Sequence, residues 1–253
     1  HLGIGLITND MQEHKYFEGR IASARSILFA MMSIGSKAVP LSAVTASKLY
    51  WSICVPKLTY GLEIISISKP SLEAIENFHH KAAKLILHLP DQATNIGSLL
   101  ILGWKPFEFF LDYMRLLFFW KILSLPMSNL YKQVLLRLIL SITERPRDNV
   151  CSPTQGFLTT CFKYNIHHMV CEAIETGIYC NMEQWKKMVK HAIQDNFVKQ
   201  VNVTLPLYPS LVHLVPAFSI SPWLVIAHSN INIASECSRI VQLILNRDRH
   251  YHC

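Results

Sequence analysis

No two aspartates are adjacent anywhere in this 253-residue chain. One arrangement that holds the two divalent ions of phosphoryl transfer, a pair of adjacent aspartates on a hairpin, is therefore not available in this chain. The chain also lacks a P-loop, a GxGxxG turn, a GxSxG elbow and an HExxH helix, and with them the common nucleotide, hydrolase and metalloprotease signatures. The seven cysteines (54, 151, 161, 171, 180, 237, 253) are odd in number, scattered and without a CxxC. That pattern gives no disulfide framework, and reduced thiols of an intracellular protein, in nucleus or cytoplasm, are expected. No secretory leader is evident: His1–Thr8 is apolar but too short, and Asn9, Asp10 and Glu13 follow. Between Lys199 and Glu236 there is no Lys, Arg, Asp or Glu, yet Pro206, Pro209, Pro216 and Pro222 interrupt the stretch. A clean membrane span of about 20 apolar residues does not survive there.

What is present is apolar and mildly basic. Half of the chain is hydrophobic (51%) and the mean hydropathy is +0.24, enough for a full core in one or two domains. The net charge is +7, with a pI near 9.0, compatible with a nucleic-acid partner. The excess is spread evenly: nine Lys/Arg against six Asp/Glu over 1–90, seven against five over 91–150, and eight against six over 151–253. No block forms a polybasic arm. The initial His and the high hydropathy lead us to expect a fragment whose apolar surface is covered by further sequence.

The spacing of apolar residues predicts a mostly α fold. A short strand over His1–Thr8 is followed by a helix over about 12–34, with Phe17, Ile21, Ala24, Leu28 and Met31 at alternating four- and three-residue steps and Gly35 placed to stop it. Pro40-Leu41-Ser42 opens a second helix, capped by Ser42, that carries Leu49, Tyr50 and Trp51. A helix begun by Pro70-Ser71 bears the stripe Leu72, Ile75, Phe78, Ala82, Leu85, Ile86 and Leu89, with Glu73, Glu76, His80 and Lys84 opposite. After a Pro90-Asp91 turn, Thr94 or Asn95 caps a short helix ending at Gly103-Trp104. An aromatic-rich helix spans about 106–123; its Glu108, Asp112, Arg115 and Lys121 argue against a bilayer span. A helix over 128–142 starts near Asn129 and turns Val134, Leu135 and Leu138 inward. Two prolines and four charges in residues 143–155 predict a linker. Domains are therefore expected at 1–142 and 156–253. Beyond the linker, helices are predicted near 156–163, 167–176 and 182–200. The last is capped by Asn181 and has Trp185, Met188, Val189, Ile193 and Phe197 on one stripe. A final helix is predicted over 231–246.

Several phrases carry a resemblance. Leu49-Tyr50, Val55-Pro56-Lys57-Leu58-Thr59-Tyr60-Gly61-Leu62-Glu63, the helix wording from Leu72-Glu73 through Lys81 to Ile86-Leu87, and Leu102-Gly103-Trp104-Lys105-Pro106 resemble the region after the palm in non-LTR (LINE-type) retrotransposon reverse transcriptases. Leu2-Gly3-Ile4 resembles the strand that closes the palm in that family. Trp185, Trp223 and the Pro-rich spacer follow in the loose order of its post-polymerase tail. The resemblance implies a thumb-like half and a downstream tail half that grip the RNA template and RNA–DNA hybrid. Mg²⁺ would be held only by palm aspartates lying upstream, and this chain would carry no catalytic residue and no cofactor of its own.

The residues expected to touch nucleic acid are Arg20, Arg25, Lys81, Lys84, Lys186, Lys187 and Lys190, through phosphates rather than bases. Each lies off an apolar stripe, where a solvated surface residue is the plain alternative. His167, His168 and Cys171 have ligand-like spacing, but such a pair on a helix is usually structural. Cys237, His250, His252 and Cys253 do not form a zinc-knuckle pattern, so no metal is assigned. The competing reading is a non-catalytic helical protein-interaction scaffold or an inactive retroelement remnant. A third is membrane association through 203–228.

Overall fold

A computed structural model describes residues 10–34, 41–144, 152–204, 206, 221, 222, 224 and 225. Over these the protein is mostly α, with no strand among the described residues. The strand expected over His1–Thr8, most of the 143–155 linker, the helix expected over 231–246, Gly35 and Trp223 lie outside them. The helices are α1 (Asp10–Ile34), α2 (Ala43–Leu49), α3 (Val55–Thr59), α4 (Lys69–Ile86), α5 (Asn95–Ile101), α6 (Phe107–Leu123), α7 (Leu130–Glu144), α8 (Pro153–Lys163), α9 (His167–Thr176) and α10 (Met182–Thr204). A π-helical turn, Tyr50–Cys54, joins α2 to α3.

The chain forms two compact units. Among the described residues, one comprises 10–34, 41–60, 68–107 and those from 201 onward, the other 61–67, 108–144 and 152–200. This division differs from the expected 1–142 and 156–253: α6 and α7 belong with α8–α10. The reason is aromatic pairing across the linker. Trp120 on α6 stacks on Trp185 of α10 with centroids 3.9 Å apart, and Phe119 stacks on Phe157 of α8 at 4.8 Å.

In the first unit, the stripe Phe17, Ile21, Ala24, Leu28 and Met31 is buried, and α1 packs on α4, α3 and the π-helical turn. Ser42 caps α2 by accepting from the Thr45 N–H. The π-helical turn closes with the Val55 N–H donating to the Tyr50 carbonyl, and it precedes Pro56, which has no N–H to offer an α-helical ladder. Tyr50 is fully buried and stacks on Trp104 (4.6 Å), and Trp104 stacks in turn on His79 (4.9 Å). Trp104 reaches that place because α5 ends in a left-handed turn. Gly103 has φ 68°, the Trp104 N–H donates to the Leu99 carbonyl, and the Gly103 N–H donates to Leu100. The Trp104 indole N–H then donates to Ser47 Oγ at 2.9 Å.

In the second unit, α6 is buried along Phe109, Leu111, Leu116, Phe119, Trp120 and Leu123. The Trp185 indole N–H donates to the Leu116 carbonyl (3.2 Å), and that of Trp120 to the Cys180 carbonyl (3.3 Å). Asn181 and Gln184 form a reciprocal capping box at the start of α10. Ser152 caps α8 through the Gln155 N–H. Of the stripe predicted on α10, Trp185, Val189, Ile193 and Phe197 are buried, and Met188 is half-buried. On α7, however, only Leu135 of the three residues expected inward is buried. Val134 and Leu138 are exposed, while Ile139 and Lys132 turn inward.

Candidate nucleic-acid interface

Arg20 and Arg25 stand on α1, and Lys81 and Lys84 on α4, two helices that pack together. Their side chains divide into two kinds. Arg20 Nη1 donates to the carbonyls of Leu58 (3.0 Å) and Tyr60 (2.6 Å), while Nη2 donates to the Tyr16 hydroxyl and the guanidinium lies 4.4 Å from the Tyr16 ring centroid. It closes the C-terminal carbonyls of α3. Lys84 is buried, and its Nζ donates to the Asp91 carbonyl at 2.7 Å. The turn after α4 brings that carbonyl over it: His88 adopts φ 53° and the Leu89 N–H returns to the Lys84 carbonyl. Arg20 and Lys84 therefore hold the fold, and Arg25 and Lys81 are exposed.

The other three cations lie on α10. Lys186 pairs with Glu183 at 3.0 Å, and this hydrogen bond lowers the Glu183 carboxyl below its ordinary range. Lys190 sits 5.9 Å from the Tyr113 ring centroid. Lys187 is exposed and lines a groove of about 640 Å³ between α10 and the turn from α8 to α9. The floor of the groove is Ile166, Met169, Met188 and Ala192. Its rim along α10 is Lys187, His191, Asp195 and Lys199, residues at successive i,i+4 positions on one ridge. The opposite wall is the Lys163–Tyr164–Asn165 turn, where Asn165 takes φ 56° and Ile166 N–H returns to the Cys161 carbonyl. The Asn196 amide ties α10 to this wall through the Lys163 carbonyl at 3.4 Å.

Behind that wall is a charge network that sequence reasoning missed. Asp112, buried on α6, accepts from Lys163 Nζ (2.8 Å) and from the Tyr164 hydroxyl (2.8 Å). Glu108 also accepts from Lys163 (2.5 Å). Burial disfavours the Lys163 ammonium, but the two carboxylates outweigh it and raise its pKa. Burial, then the Asp112 charge, pushes the Tyr164 phenol up. The available signal was the four-residue spacing of Glu108 and Asp112, which places both on one face of α6.

Nothing in the described residues gathers three metal-ligating side chains. His167 stacks on Phe162 at 4.4 Å and Cys171 is exposed, while Cys237, His250, His252 and Cys253 lie outside the described residues. Burial raises the Cys54 thiol to about 11, beside Met31 Sδ at 3.8 Å, and raises that of Cys161 too. Neither has the character of a nucleophile. Among the described residues no helix is long and apolar enough to cross a membrane.

No family model, curated protein or solved structure matches this chain. Its functional reading rests on its own residues and their geometry.

Proposed function

We propose that this chain is the thumb and downstream part of a LINE-type reverse transcriptase, working in nucleus or cytoplasm. It grips the RNA template and RNA–DNA hybrid by their phosphates, while Mg²⁺ and the catalytic aspartates belong to an upstream palm. The observation that carries the reading is the wording of residues 48–89 and 102–106. The helical fold and the exposed cations Arg25, Lys81, Lys187 and Lys199 support it. The test is a salt titration of binding to an RNA–DNA hybrid. Each phosphate contact contributes about 0.7–0.9 to the log–log slope, so Arg25→Ala with Lys81→Ala should flatten the slope by about 1.6 units. Unchanged slope and affinity would remove these two residues from the interface.

A second reading, a protein-interaction scaffold without activity, is favoured by α7. That helix leaves Leu130, Tyr131, Val134 and Leu138 exposed on neighbouring positions, an apolar face of the kind that marks association sites. On this reading the hybrid titration gives no salt-dependent binding at all.

A further inference from the structure

The groove beside α10 differs from the other basic positions in bringing two exposed cations, Lys187 and Lys199, to one concave lining. Lys163 is neutralised by Asp112 and Glu108, and His191 lies 3.6 Å from Asp195. Lys187 and Lys199 are exposed and make no side-chain hydrogen bond among the described residues, although Lys187 lies in the field of Glu183. They stand three i,i+4 steps apart on the rim, about 18 Å along the helix axis. Between them lies an apolar floor in which Met169 and Met188 supply polarizable, adaptable surface. The wall offers the side-chain amide of Asn165 for hydrogen bonding, while the Asn196 amide on α10 already donates to the Lys163 carbonyl and accepts from Gln200. Two separated cations, a soft apolar floor and amide donors and acceptors match a strand that alternates phosphates with flat bases. They match a regular duplex poorly, because its bases are turned inward.

We propose that the α8–α10 groove is a binding site for single-stranded nucleic acid, with phosphates at Lys187 and Lys199 and an unpaired base on the Met169–Met188 floor. This rests on the reverse-transcriptase reading and adds a second site to it, for strand that is not in the hybrid. Asp195 is the acidic residue on that rim and opposes the ligand. Lys186 and Lys190 do not line the groove and contribute little.

The test measures anisotropy of a fluorescent single-stranded octanucleotide with the full chain over a salt series. Lys187→Ala with Lys199→Ala should weaken binding roughly tenfold at low salt and flatten the log–log slope by about 1.4 units, two contacts at about 0.7 each. Asp195→Asn should strengthen binding about twofold, the size expected of one exposed charge. Each variant is compared at an unchanged thermal unfolding midpoint, which guards the test against misfolding. Arg137→Ala, which removes an exposed cation of α7 that does not line the groove, should leave octanucleotide binding unchanged, while Arg25→Ala with Lys81→Ala should weaken hybrid binding. If the wild type binds the octanucleotide and neither groove variant moves it, the groove proposal is wrong and the thumb reading stands. If the wild type binds neither octanucleotide nor hybrid, both are wrong. An acidic peptide that displaces the octanucleotide more strongly than an unlabelled octanucleotide of equal charge would reassign the groove to a protein partner and overturn the proposal.

Discussion

His79 shows how much a single side chain settles in the first unit. Its Nε2 lies 3.1 Å from the Lys105 carbonyl, which can only accept, so Nε2 carries the proton. Nδ1 is then an acceptor, and the Tyr50 hydroxyl donates to it at 2.9 Å. The ring is neutral because burial, with the neighbouring His80 adding to it, lowers its pKa to about 3 against the ordinary 6.5. The linkage sign follows. Above pH 6.5 neither folded nor unfolded chain protonates this ring. Below it the unfolded chain takes up a proton that the folded chain refuses, until the pH nears 3. His79 therefore makes the fold lose about 1.4 kcal/mol per pH unit between those limits. We expect His79→Gln to be less stable than wild type at pH 7 and the gap to shrink steadily as the pH falls from 6.5 to 4, measured by urea unfolding at each pH. A gap constant with pH would mean that the ring is charged in the fold.

At the scale of the element, α7 separates what periodicity can reveal from what it cannot. In α1 and α10 a ladder of three- and four-residue steps, through Phe17, Ile21, Ala24, Leu28 and Met31 and through Trp185, Val189, Ile193 and Phe197, is buried as read, although Phe29 is exposed and Met188 half-buried. The sequence of α7, LYKQVLLRLILSITE, is one-sided, with Gln133, Arg137, Ser141 and Glu144 sharing a polar face, but its apolar arc is wide and only one edge of that arc packs. Leu135 and Ile139 are buried, whereas Val134 and Leu138 face outward. The polar face of α4 failed as a guide for another reason. Lys84 is spaced like a surface residue, but a left-handed His88 folds the following turn back over it, and nothing in the spacing announces that turn. In the same way the Asn165 turn that walls the α10 groove depends on how α8 ends, not on a motif. The α7 assignment is testable. Val134→Glu with Leu138→Lys should change stability by less than about 0.5 kcal/mol and reduce self-association in sedimentation experiments. Leu135→Ala should cost about 2–5 kcal/mol. Similar losses from both would place the exposed stripe inside the fold.

For the molecule as a whole, the phrases that resemble a reverse transcriptase are largely core phrases. Tyr50, Leu58, Ile75, Phe78 and Trp104 are all buried, so that wording specifies packing and leaves the surface chemistry to be read from geometry. The division into units was the least legible feature. A charged, Pro-containing stretch at 143–155 reads as a boundary, yet the partners of Trp185, Phe157 and Tyr164 lie on α6, before that stretch. Such long-range pairing leaves no local mark in the sequence. It predicts how the second unit behaves in isolation. A chain of residues 106–204 keeps the stacked Trp120–Trp185 pair, both indole N–H bonds and the Asp112–Lys163–Tyr164 network. We expect it to unfold cooperatively on heating, with an aromatic circular dichroism signal that Trp185→Ala removes. A chain of residues 152–204 retains α8, α9 and α10 but strands Trp185, Phe157 and Tyr164 without the rings and carboxylate that cover them. It should show no cooperative transition, because most helical stability comes from tertiary packing of an apolar face. Cooperative unfolding of the shorter chain, with no added stability from α6, would mean that the boundary at 143–155 is the real one.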